Sequence, residues 1–370
     1  MDANPETNSG GATPRRGISL TAKLLLVLVL SAVGIELAAR GVDYFQDRDT
    51  EFYMPVPADK SFYAPHPFLT YEMVPDRSRD GMYSFHHNSL GFRGKETTVE
   101  KPEGVYRILC VGGSTTYGTG CTKDELAYPA QLEAMLAEKA PGQKYEVINC
   151  GVSGYGTTEN LINIQLRLLE LQPDAIIVYH AANDARPIQA KGFKPDYSHL
   201  RTSWRETEPN ALDLTLLRWC RLYAWATRGR NPDKQTGALF THIAVEDYES
   251  LHVPSSEGVN EEGVEAFIRN LRNIVAVCRA NGVEPVLATF ASCESKLKPT
   301  EEHFLDTVDR QNVRIIELAT ELDAKLLRLA EGLDDRAEWY DDWMHFNDEG
   351  SRVQAMGVYQ EAERVGALGL

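Results

Sequence analysis

From residue 105 onward, short apolar runs that predict buried strands alternate with longer segments whose apolar residues recur at helical spacing. The predicted strands cover residues 107–111, 145–150, 175–179 and 283–290, and the predicted helices cover 128–139, 158–170, 264–281, 305–333 and 349–365. Continuous apolar runs are typical of parallel strands that are covered on both faces. The alternation therefore predicts an α/β fold, a doubly wound parallel sheet with right-handed crossovers and flanking helices.

The composition is that of a folded protein that does not bind nucleic acid as its main partner. Of the 370 residues, 43% are hydrophobic, which is enough to bury a sizeable core. A net charge of −16 argues against a polyanionic partner, because phosphate contacts need a basic surface. The six cysteines form no Cys-x-x-Cys pair and are too few for a disulfide scaffold.

A membrane-directed segment is predicted near the N-terminus. Residues 18–39 contain an apolar stretch at residues 24–35, interrupted only by Ser31 and Gly34. At ~1.5 Å per residue, the 22 residues are long enough to cross a hydrocarbon core of ~30 Å. Arg15, Arg16 and Lys23 precede this stretch, so the positive-inside rule places the N-terminus in the cytoplasm. The remaining chain is then expected to be exported.

Two fates of this segment fit the sequence. It is either a signal anchor, which makes a single-pass membrane protein with an extracytoplasmic catalytic part (periplasmic in a double-membraned bacterium), or a cleaved signal peptide, which makes a secreted protein. Small residues near 32–34 or 38–39 are the cleavage candidates. A buried helix of a soluble protein is a third interpretation. Residues 1–17, rich in small and polar residues, are predicted to be a disordered cytoplasmic tail.

The rest of the chain divides into two predicted regions. Residues 41–104 are rich in aromatic residues and prolines and are predicted to form an extended N-terminal module, with strands near 69–73 and 82–85. Residues 105–370 are predicted to form one α/β domain. An insertion at about 186–262, with an amphipathic helix around 212–227, interrupts that domain and serves either as a lid or as packed decoration.

Hydrogen-bond donors follow three successive predicted strands. Ser114 comes directly after Gly112 and Gly113, Gly151 follows the second strand, and Asn183 follows the third. The carboxyl ends of parallel strands are where open α/β sheets bind ligands. A Ser114 N–H, a Gly151 N–H and an Asn183 amide at one edge are the parts of an oxyanion hole. Taken singly, each is also ordinary turn or capping chemistry.

A histidine and a carboxylate lie just before the last predicted helix. Asp342 precedes His345 by three residues, a spacing that lets the carboxylate reach the imidazole Nδ1 within one turn. The Nε2 atom is then left to accept a proton from a serine. Asp341 is the rival carboxylate, one residue further from His345. A polar surface turn that caps the last helix is the alternative interpretation.

These blocks, in this order, resemble the SGNH (GDSL-type) hydrolase family. The resemblance rests on Ser114, Gly151, Asn183 and His345, with Asp342 completing the Asp-x-x-His block. The run Asn-Ser-Leu-Gly-Phe-Arg-Gly at residues 88–94 resembles a branch with an extra N-terminal module. The resemblance covers roughly residue 65 to the C-terminus. It implies the flavodoxin-like three-layer fold of that family.

The resemblance also implies a role for each residue. Ser114 is the nucleophile, His345 the general base and then acid, and Asp342 the residue that orients His345. The Ser114 and Gly151 N–H groups and the Asn183 amide form the oxyanion hole. No metal or other cofactor is expected, and the nine histidines include no His-Glu-x-x-His motif.

Two positions depart from the family pattern. Gly113 stands where the namesake motif has aspartate, at a position that is not the nucleophile. Ala181 stands where the third block has glycine, which tightens the loop that carries Asn183. Two further polar residues, Arg93 and His180, lie near these blocks in the sequence. Arg93 is predicted to pin the N-terminal module by a salt bridge rather than to approach the site. His180 is predicted to be a packed histidine at a strand end rather than a second base.

The expected activity is hydrolysis of a small-molecule or carbohydrate-linked acyl ester through an acyl-enzyme on Ser114. A carbohydrate O-acyltransferase would use the same residues, and a catalytically silent binding module on the same fold is a third hypothesis. Because the exported part is acidic, it is not expected to be drawn to anionic lipid headgroups, which favours neutral or carbohydrate-linked esters over phospholipids. The sequence does not predict the oligomeric state.

Overall fold

The computed structural model describes residues 19–45, 61–69, 71–200, 211–227, 258–298 and 302–370. The predicted disordered tail at 1–17 lies outside these ranges, as do residues 201–210 and 228–257 of the predicted insertion. The described chain divides into two compact units, one with the N-terminal helix and residues 211–227, the other with the remaining described residues from 61 onward.

The described elements are numbered along the chain. They are α1 Leu20–Phe45, β1 Tyr63–Pro65, β2 Tyr71–Met73, β3 Ser78–Arg79, β4 Phe85–His86, β5 Val105–Gly112, α2 Ser114–Tyr117, α3 Tyr128–Lys139, β6 Lys144–Asn149, α4 Thr157–Leu166, β7 Ala175–Tyr179, α5 Ala182–Ile188, α6 Ala211–Trp219, α7 Arg221–Thr227, α8 Glu261–Ala280, β8 Glu284–Ala288, α9 Glu302–Leu322, β9 Lys325–Leu327, α10 Ala330–Leu333 and α11 Asp348–Val365.

The larger unit is built on a five-stranded parallel sheet with the strand order β6-β5-β7-β8-β9. The predicted α/β class and all four predicted strands are confirmed. The predicted helix over 305–333 is wrong at residues 323–329, because α9 ends at Leu322 and the edge strand β9 precedes the short helix α10. Asp323 has a left-handed φ of 49°, which ends the helix, and a strand of three residues is too short to show its own periodicity.

Alternate residues of the central strand β5 enter the cores on opposite faces of the sheet. Ile108 and Cys110 belong to the core that includes α3 and α11, whereas Leu109 and Val111 belong to the core that includes α4 and α8. All four side chains are fully buried. A strand buried on both faces has to be apolar at every position, which is why the continuous apolar run predicted it correctly. The helices on the two faces fix the carboxyl ends of the strands at one edge.

Two short antiparallel hairpins, β1–β2 and β3–β4, make up the described part of the N-terminal module. Tyr71 and Met73 of β2 pack in one apolar cluster with Tyr117 of α2 and with Val152 and Tyr155 of the loop after β6. The module is thereby packed against the turn that carries Ser114. The predicted strand near 69–73 corresponds to β2, whereas the one predicted near 82–85 overlaps β4 only at Phe85, because residues 81–83 form a bend.

The described part of the predicted insertion forms two helices rather than one. The predicted helix around 212–227 is broken at Cys220, between α6 and α7. These two helices belong to the same unit as α1. The insertion is also shorter at its edges than predicted, since α5 continues to Ile188 and α8 begins at Glu261.

Candidate active site

The turn after β5 brings Ser114 to the carboxyl edge of the sheet. Ser114 is the first residue of the short helix α2, where the helix itself supplies no acceptor for the backbone N–H. A Cβ at Gly112 would lie 2.0 Å from Thr116 Oγ1, and a Cβ at Gly151 would lie 2.2 Å from the Tyr117 backbone nitrogen. Both positions therefore require glycine for the loops to approach α2 so closely.

The side chains of Ser114, His345 and Asp342 form a continuous hydrogen-bonded chain. The Ser114 Oγ lies 2.7 Å from His345 Nε2, and His345 Nδ1 lies 2.7 Å from Asp342 Oδ2. The other carboxylate oxygen of Asp342 accepts the backbone N–H groups of Met344 and His345, each at 2.9 Å. The carboxylate thus fixes both the turn and the orientation of the imidazole that the turn carries. Asp342, and not the rival Asp341, makes the contact with Nδ1.

The two neighbouring carboxylates have opposite pKa shifts. Partial burial by itself would raise the pKa of Asp342. The hydrogen bond with His345, the charge of the His345 imidazole and the two backbone N–H groups together outweigh burial and lower the pKa of Asp342 to about 2. Burial and the adjacent Asp342 charge instead raise the pKa of Asp341. Asp342 is therefore an anion at neutral pH, which suits it to stabilise a positively charged imidazole.

Asn183 lies directly against the turn that carries Ser114. Its Nδ2 donates a hydrogen bond of 2.9 Å to the backbone oxygen of Tyr155, and the second hydrogen of the amide is left for another acceptor. A Cβ at Gly113 would lie only 2.3 Å from this Nδ2 atom. The absence of a side chain at 113 is thus what allows the Asn183 amide to approach the Ser114 turn.

The Gly151 N–H has an acceptor within the protein. It donates to Asn149 Oδ1 at 3.1 Å, and the amide of Asn149 donates to the Tyr117 carbonyl of α2 at 3.1 Å. Asn149 therefore ties the end of β6 to the helix that begins with Ser114. Sequence reasoning missed Asn149, although an amide side chain two residues before Gly151, at the carboxyl end of a predicted strand, was a signal for it.

A buried polar network joins the loops that carry Gly151 and Asn183. His180 accepts a hydrogen bond from Asn160 Nδ2 at 2.6 Å, and burial lowers the pKa of His180 to about 3, so this histidine is neutral. Asp184 accepts from the backbone N–H of Thr157 at 3.0 Å and from its hydroxyl at 2.5 Å. His180 accordingly packs at the strand end as predicted, and together these bonds hold α4 against the start of α5.

Arg93 holds the far end of the turn that carries Ser114. Its guanidinium forms a salt bridge of 2.7 Å with Asp124 and donates to the carbonyls of Tyr117, at 3.1 Å, and Gly118, at 2.5 Å. The guanidinium also lies 4.9 Å from the centre of the Tyr117 ring. The side chain is buried, with 2% exposed. Arg93 thus makes the predicted salt bridge, and it also binds the last carbonyls of the helix that begins with Ser114.

A narrow cleft opens beside Ser114. The residues that line it are Gly113, Ser114, Thr115, Tyr179, His180, Ala181, Ala182, Asn183, Phe290 and Met344. Its free volume is about 10 Å³, which is room for roughly one water molecule. The described residues therefore leave only a small space next to the Ser114 hydroxyl.

Comparisons with known proteins give a family match and several similar solved structures. A model of the GDSL-like Lipase/Acylhydrolase family matches residues 110–353. A search of the curated proteins found no match. Three solved structures illustrate the structural similarity. The acetyl xylan esterase AlAXEase is 15% identical with a TM-score of 0.42, over 69% of this chain and 98% of its own.

The other two structures are similar to the same extent. LAE5, an alpha/beta hydrolase enzyme from the metagenome of Lake Arreo, is 17% identical with a TM-score of 0.43, over 70% of this chain and 96% of its own. A catalytic mutant of Axe2, an acetylxylan esterase from Geobacillus stearothermophilus, is 14% identical with a TM-score of 0.41, over 69% of this chain and 93% of its own.

Proposed function

We propose that the chain, which belongs to the GDSL-like lipase/acylhydrolase family, is a serine hydrolase that cleaves acyl esters through an acyl-enzyme on Ser114. The observation that carries the proposal is the chain of two 2.7 Å hydrogen bonds from Ser114 through His345 to Asp342. A silent binding module has no need of a serine hydroxyl aligned with an oriented imidazole and an ionised carboxylate. The geometry therefore favours catalysis over binding alone.

The proposed reaction has two steps. The Ser114 Oγ attacks the ester carbonyl carbon while its proton passes to His345 Nε2, and the resulting tetrahedral intermediate collapses as His345 returns the proton to the leaving alcohol. A water molecule then attacks the acyl carbon, His345 accepts the proton of that water, and the carboxylic acid leaves as Ser114 regains its hydrogen. Asp342 stays ionised throughout and stabilises the transient imidazolium.

The proposed oxyanion hole consists of Ser114, Asn183 and Gly151. The Ser114 N–H and the second hydrogen of the Asn183 amide are the donors that need no rearrangement. The Gly151 N–H already donates to Asn149 Oδ1, so a developing oxyanion has to compete with, or share, that acceptor. The Gly151 N–H therefore stabilises mainly the transition state, in which negative charge develops on the carbonyl oxygen. An interaction of this kind lowers the activation free energy and does not tighten substrate binding.

We propose that the acyl group is small, of the acetyl class. A cleft with about 10 Å³ of free space beside Ser114 accommodates a methyl group more readily than a long chain. Phe290 and Met344 line the cleft and form its apolar wall. The alcohol part, whether a small molecule or a carbohydrate, would project toward solvent. Neutral alcohols are favoured because the chain carries a net charge of −16.

The catalytic part is proposed to act outside the cytoplasm. Helix α1 is long and apolar enough to cross a membrane or to act as a signal sequence. Basic residues precede its apolar stretch, and the positive-inside rule then assigns residues C-terminal to α1 to the extracytoplasmic side. In a double-membraned bacterium this would be the periplasm.

Hydrolysis of nitrophenyl acetate by the full-length protein in detergent tests the proposal. Ser114→Ala should lower kcat/KM by three or more orders of magnitude, because the nucleophile of such triads carries most of the rate. Ser295→Ala, which removes an exposed hydroxyl elsewhere, serves as the matched control and should leave the rate unchanged. Equal activity of Ser114→Ala and the wild type would refute the assignment.

Adding a carbohydrate acceptor to the assay separates hydrolysis from transfer, since a transferase forms an acylated carbohydrate.

A further inference from the structure

The outer end of helix α1 carries charged residues on one face. Glu36, Arg40 and Asp43 are spaced by four and three residues, so they lie along a single side of the helix. Before them, large side chains from Leu20 to Leu37 are half or more exposed, and an 18-residue window of mean hydropathy 2.1 is only 6% buried. At ~1.5 Å per residue, the 26 residues of α1 measure about 39 Å. The helix therefore offers an apolar length suited to a bilayer and a polar end beyond it.

The charged end of α1 is bound by the described part of the insertion. The Glu36 carboxylate accepts the backbone N–H groups of Arg221, at 2.7 Å, and Leu222, at 3.0 Å, which are the first two residues of α7. Arg40 donates to Glu36 at 2.9 Å and to the Trp219 carbonyl at 2.9 Å. A carboxylate at a helix N-terminus is favourably placed both for hydrogen bonding and for the helix dipole.

A buried ion pair completes this attachment. Asp43 is 1% exposed and Arg221 is 6% exposed, and their charged groups lie 2.8 Å apart. Trp225 Nε1 also donates to Asp43 Oδ1 at 2.9 Å. Buried charges of opposite sign hold their elements in one arrangement, because separating them leaves each without compensation. We call the set of Glu36, Arg40, Asp43 and Arg221 the anchor clamp.

An exposed apolar stripe lies next to the anchor clamp. Leu212 and Trp219, seven residues apart on one face of α6, are 68% and 71% exposed. The bond from Arg40 to the Trp219 carbonyl places Trp219 at the level where the apolar stretch of α1 ends. Tryptophan is enriched at this level of membrane proteins, where its ring lies among the lipid headgroups.

We infer that α1 remains in the mature protein as a membrane anchor, that the anchor clamp fixes its outer end, and that Leu212 and Trp219 insert into the lipid interface. The second cleavage candidate, near 38–39, includes Ala39, which is 3% exposed within this folded unit. Both candidates lie inside one continuous helix, whereas proteolysis favours exposed, non-helical backbone. The inference rests on the proposed export but not on the proposed ester chemistry.

Retention is tested with the C-terminally tagged full-length protein in a bacterial host. The inference predicts a membrane-bound product that resists alkaline carbonate and whose N-terminal peptides, including residues 24–39, are found by mass spectrometry. A product that starts within 33–40 and is released as soluble protein would overturn retention while leaving export intact. A full-length product that alkaline carbonate extracts would overturn both the retention of α1 in the membrane and the export of the chain. Ester hydrolysis is measured on the same samples, so failure of the chemistry is seen separately.

The anchor clamp is tested by cross-linking in the membrane. Cys220 is the one cysteine that is not buried, and its sulfur lies 3.9 Å from the Glu36 carboxylate. A short bis-maleimide should therefore join Cys220 to Glu36→Cys in several-fold higher yield than to Leu37→Cys, whose native side chain is 63% exposed on the adjoining face. Because Glu36→Cys and Arg40→Cys each remove a different clamp residue and leave the other three in place, the two variants are tested in parallel. Yields no higher than that of Leu37→Cys for both variants would overturn the clamp.

Insertion of the apolar stripe is tested by quenching with brominated lipids. Vesicles that contain lipids brominated near the headgroup should quench part of the tryptophan fluorescence of the reconstituted protein. Trp219→Phe should remove most of that quenchable part, whereas Trp343→Phe, which replaces a tryptophan that is 2% exposed, serves as the control. The same quenched fraction in wild type and Trp219→Phe would show that Trp219 does not reach the interface.

Discussion

At the residue scale, Gly113 leaves the space that the Asn183 amide occupies beside the Ser114 turn. It occupies the position of the family's aspartate, and a Cβ there would lie 2.3 Å from Asn183 Nδ2 and 3.3 Å from the Tyr155 carbonyl. Asn183 and Tyr155 are bonded to each other, so neither can yield without losing that bond. Gly113 and the placement of Asn183 are therefore coupled in this chain.

Gly113→Ala is expected to lower kcat by about 10- to 100-fold with little change in KM, because displacing one oxyanion donor weakens the transition state rather than substrate binding. Steady-state kinetics on nitrophenyl acetate, beside Gly142→Ala, provide the check. Nothing lies within 4 Å of the missing Cβ of Gly142, and like Gly113 it does not have a left-handed φ. Full activity in Gly113→Ala would show that Asn183 is not held through this contact.

Asp342 offers a second test at this scale. Asp342→Asn keeps the size of the side chain but removes the charge that stabilises the imidazolium, and it favours the wrong tautomer of His345. A loss of about 10³- to 10⁴-fold in kcat is expected, since the same change in serine proteases has that effect. Asp341→Asn is the matched control and should retain most of the activity. The reverse ranking of the two variants would reassign the triad carboxylate.

At the scale of elements, the short helix α2 is held at both ends. Its first turn carries Ser114, and its last carbonyls, at Tyr117 and Gly118, are bound by Arg93 of the N-terminal module. His87 of the same module contacts the Tyr117 hydroxyl through Nε2 at 3.0 Å. A four-residue helix has little stability of its own. The module therefore acts as part of the frame of the active site and not as a separate appendage.

Arg93→Lys is expected to lower kcat by roughly 10- to 100-fold while KM changes little, because a shift of about 1 Å in the nucleophile has effects of that order. Lysine keeps the charge beside Asp124, but its ammonium group cannot donate to several carbonyls at once as the planar guanidinium of Arg93 does. Lys95→Ala, which removes an exposed cation from the same segment, is the control. If Arg93→Lys lost stability but kept the wild-type kcat in the folded fraction, Arg93 would be structural only.

The elements also show what the sequence can and cannot predict. Residues 107–111 were recognisable because a doubly covered strand is apolar throughout. Ser114, Asp342 and His345 could be picked out as candidates because their blocks keep a fixed order, and the structure brings the three side chains together. The short strand Lys325–Leu327 was missed, because three residues carry no period and the preceding helical pattern overlaps them. Asn149 and the contact between Gly113 and Asn183 were missed because they depend on distances between loops that are remote in sequence.

At the scale of the whole molecule, two buried histidines make stability depend on pH. Burial lowers the pKa of His87 to about 4 and that of His180 to about 3, whereas an unfolded histidine has a pKa of about 6.5. Between these values the unfolded chain binds more protons than the folded one, so stability falls as the pH falls through this window. Below about pH 4 the lowered pKa of Asp342 adds a further loss in the same direction.

The free energy of unfolding is expected to fall by about 2 kcal/mol per buried histidine between pH 6.5 and pH 5. Burial raises the pKa of Asp334 to about 6, which offsets part of the loss, so a comparison of variants is needed. Urea unfolding of full-length wild type and His180→Gln in detergent at pH 7 and pH 5 makes the comparison. The variant should lose less stability on acidification. An equal loss in both proteins would show that His180 does not stay neutral in the fold.

Covalent trapping of the nucleophile tests the central claim most directly. The full-length protein is treated with a fluorophosphonate probe, and the modified peptide is identified by mass spectrometry. We expect one label, on the Ser114 oxygen, that forms quickly in the wild type and at least 100-fold more slowly in His345→Ala, because the serine then lacks its base. Labelling at another serine, or labelling of Ser114 at the same rate without His345, would contradict the proposed roles of Ser114 and His345.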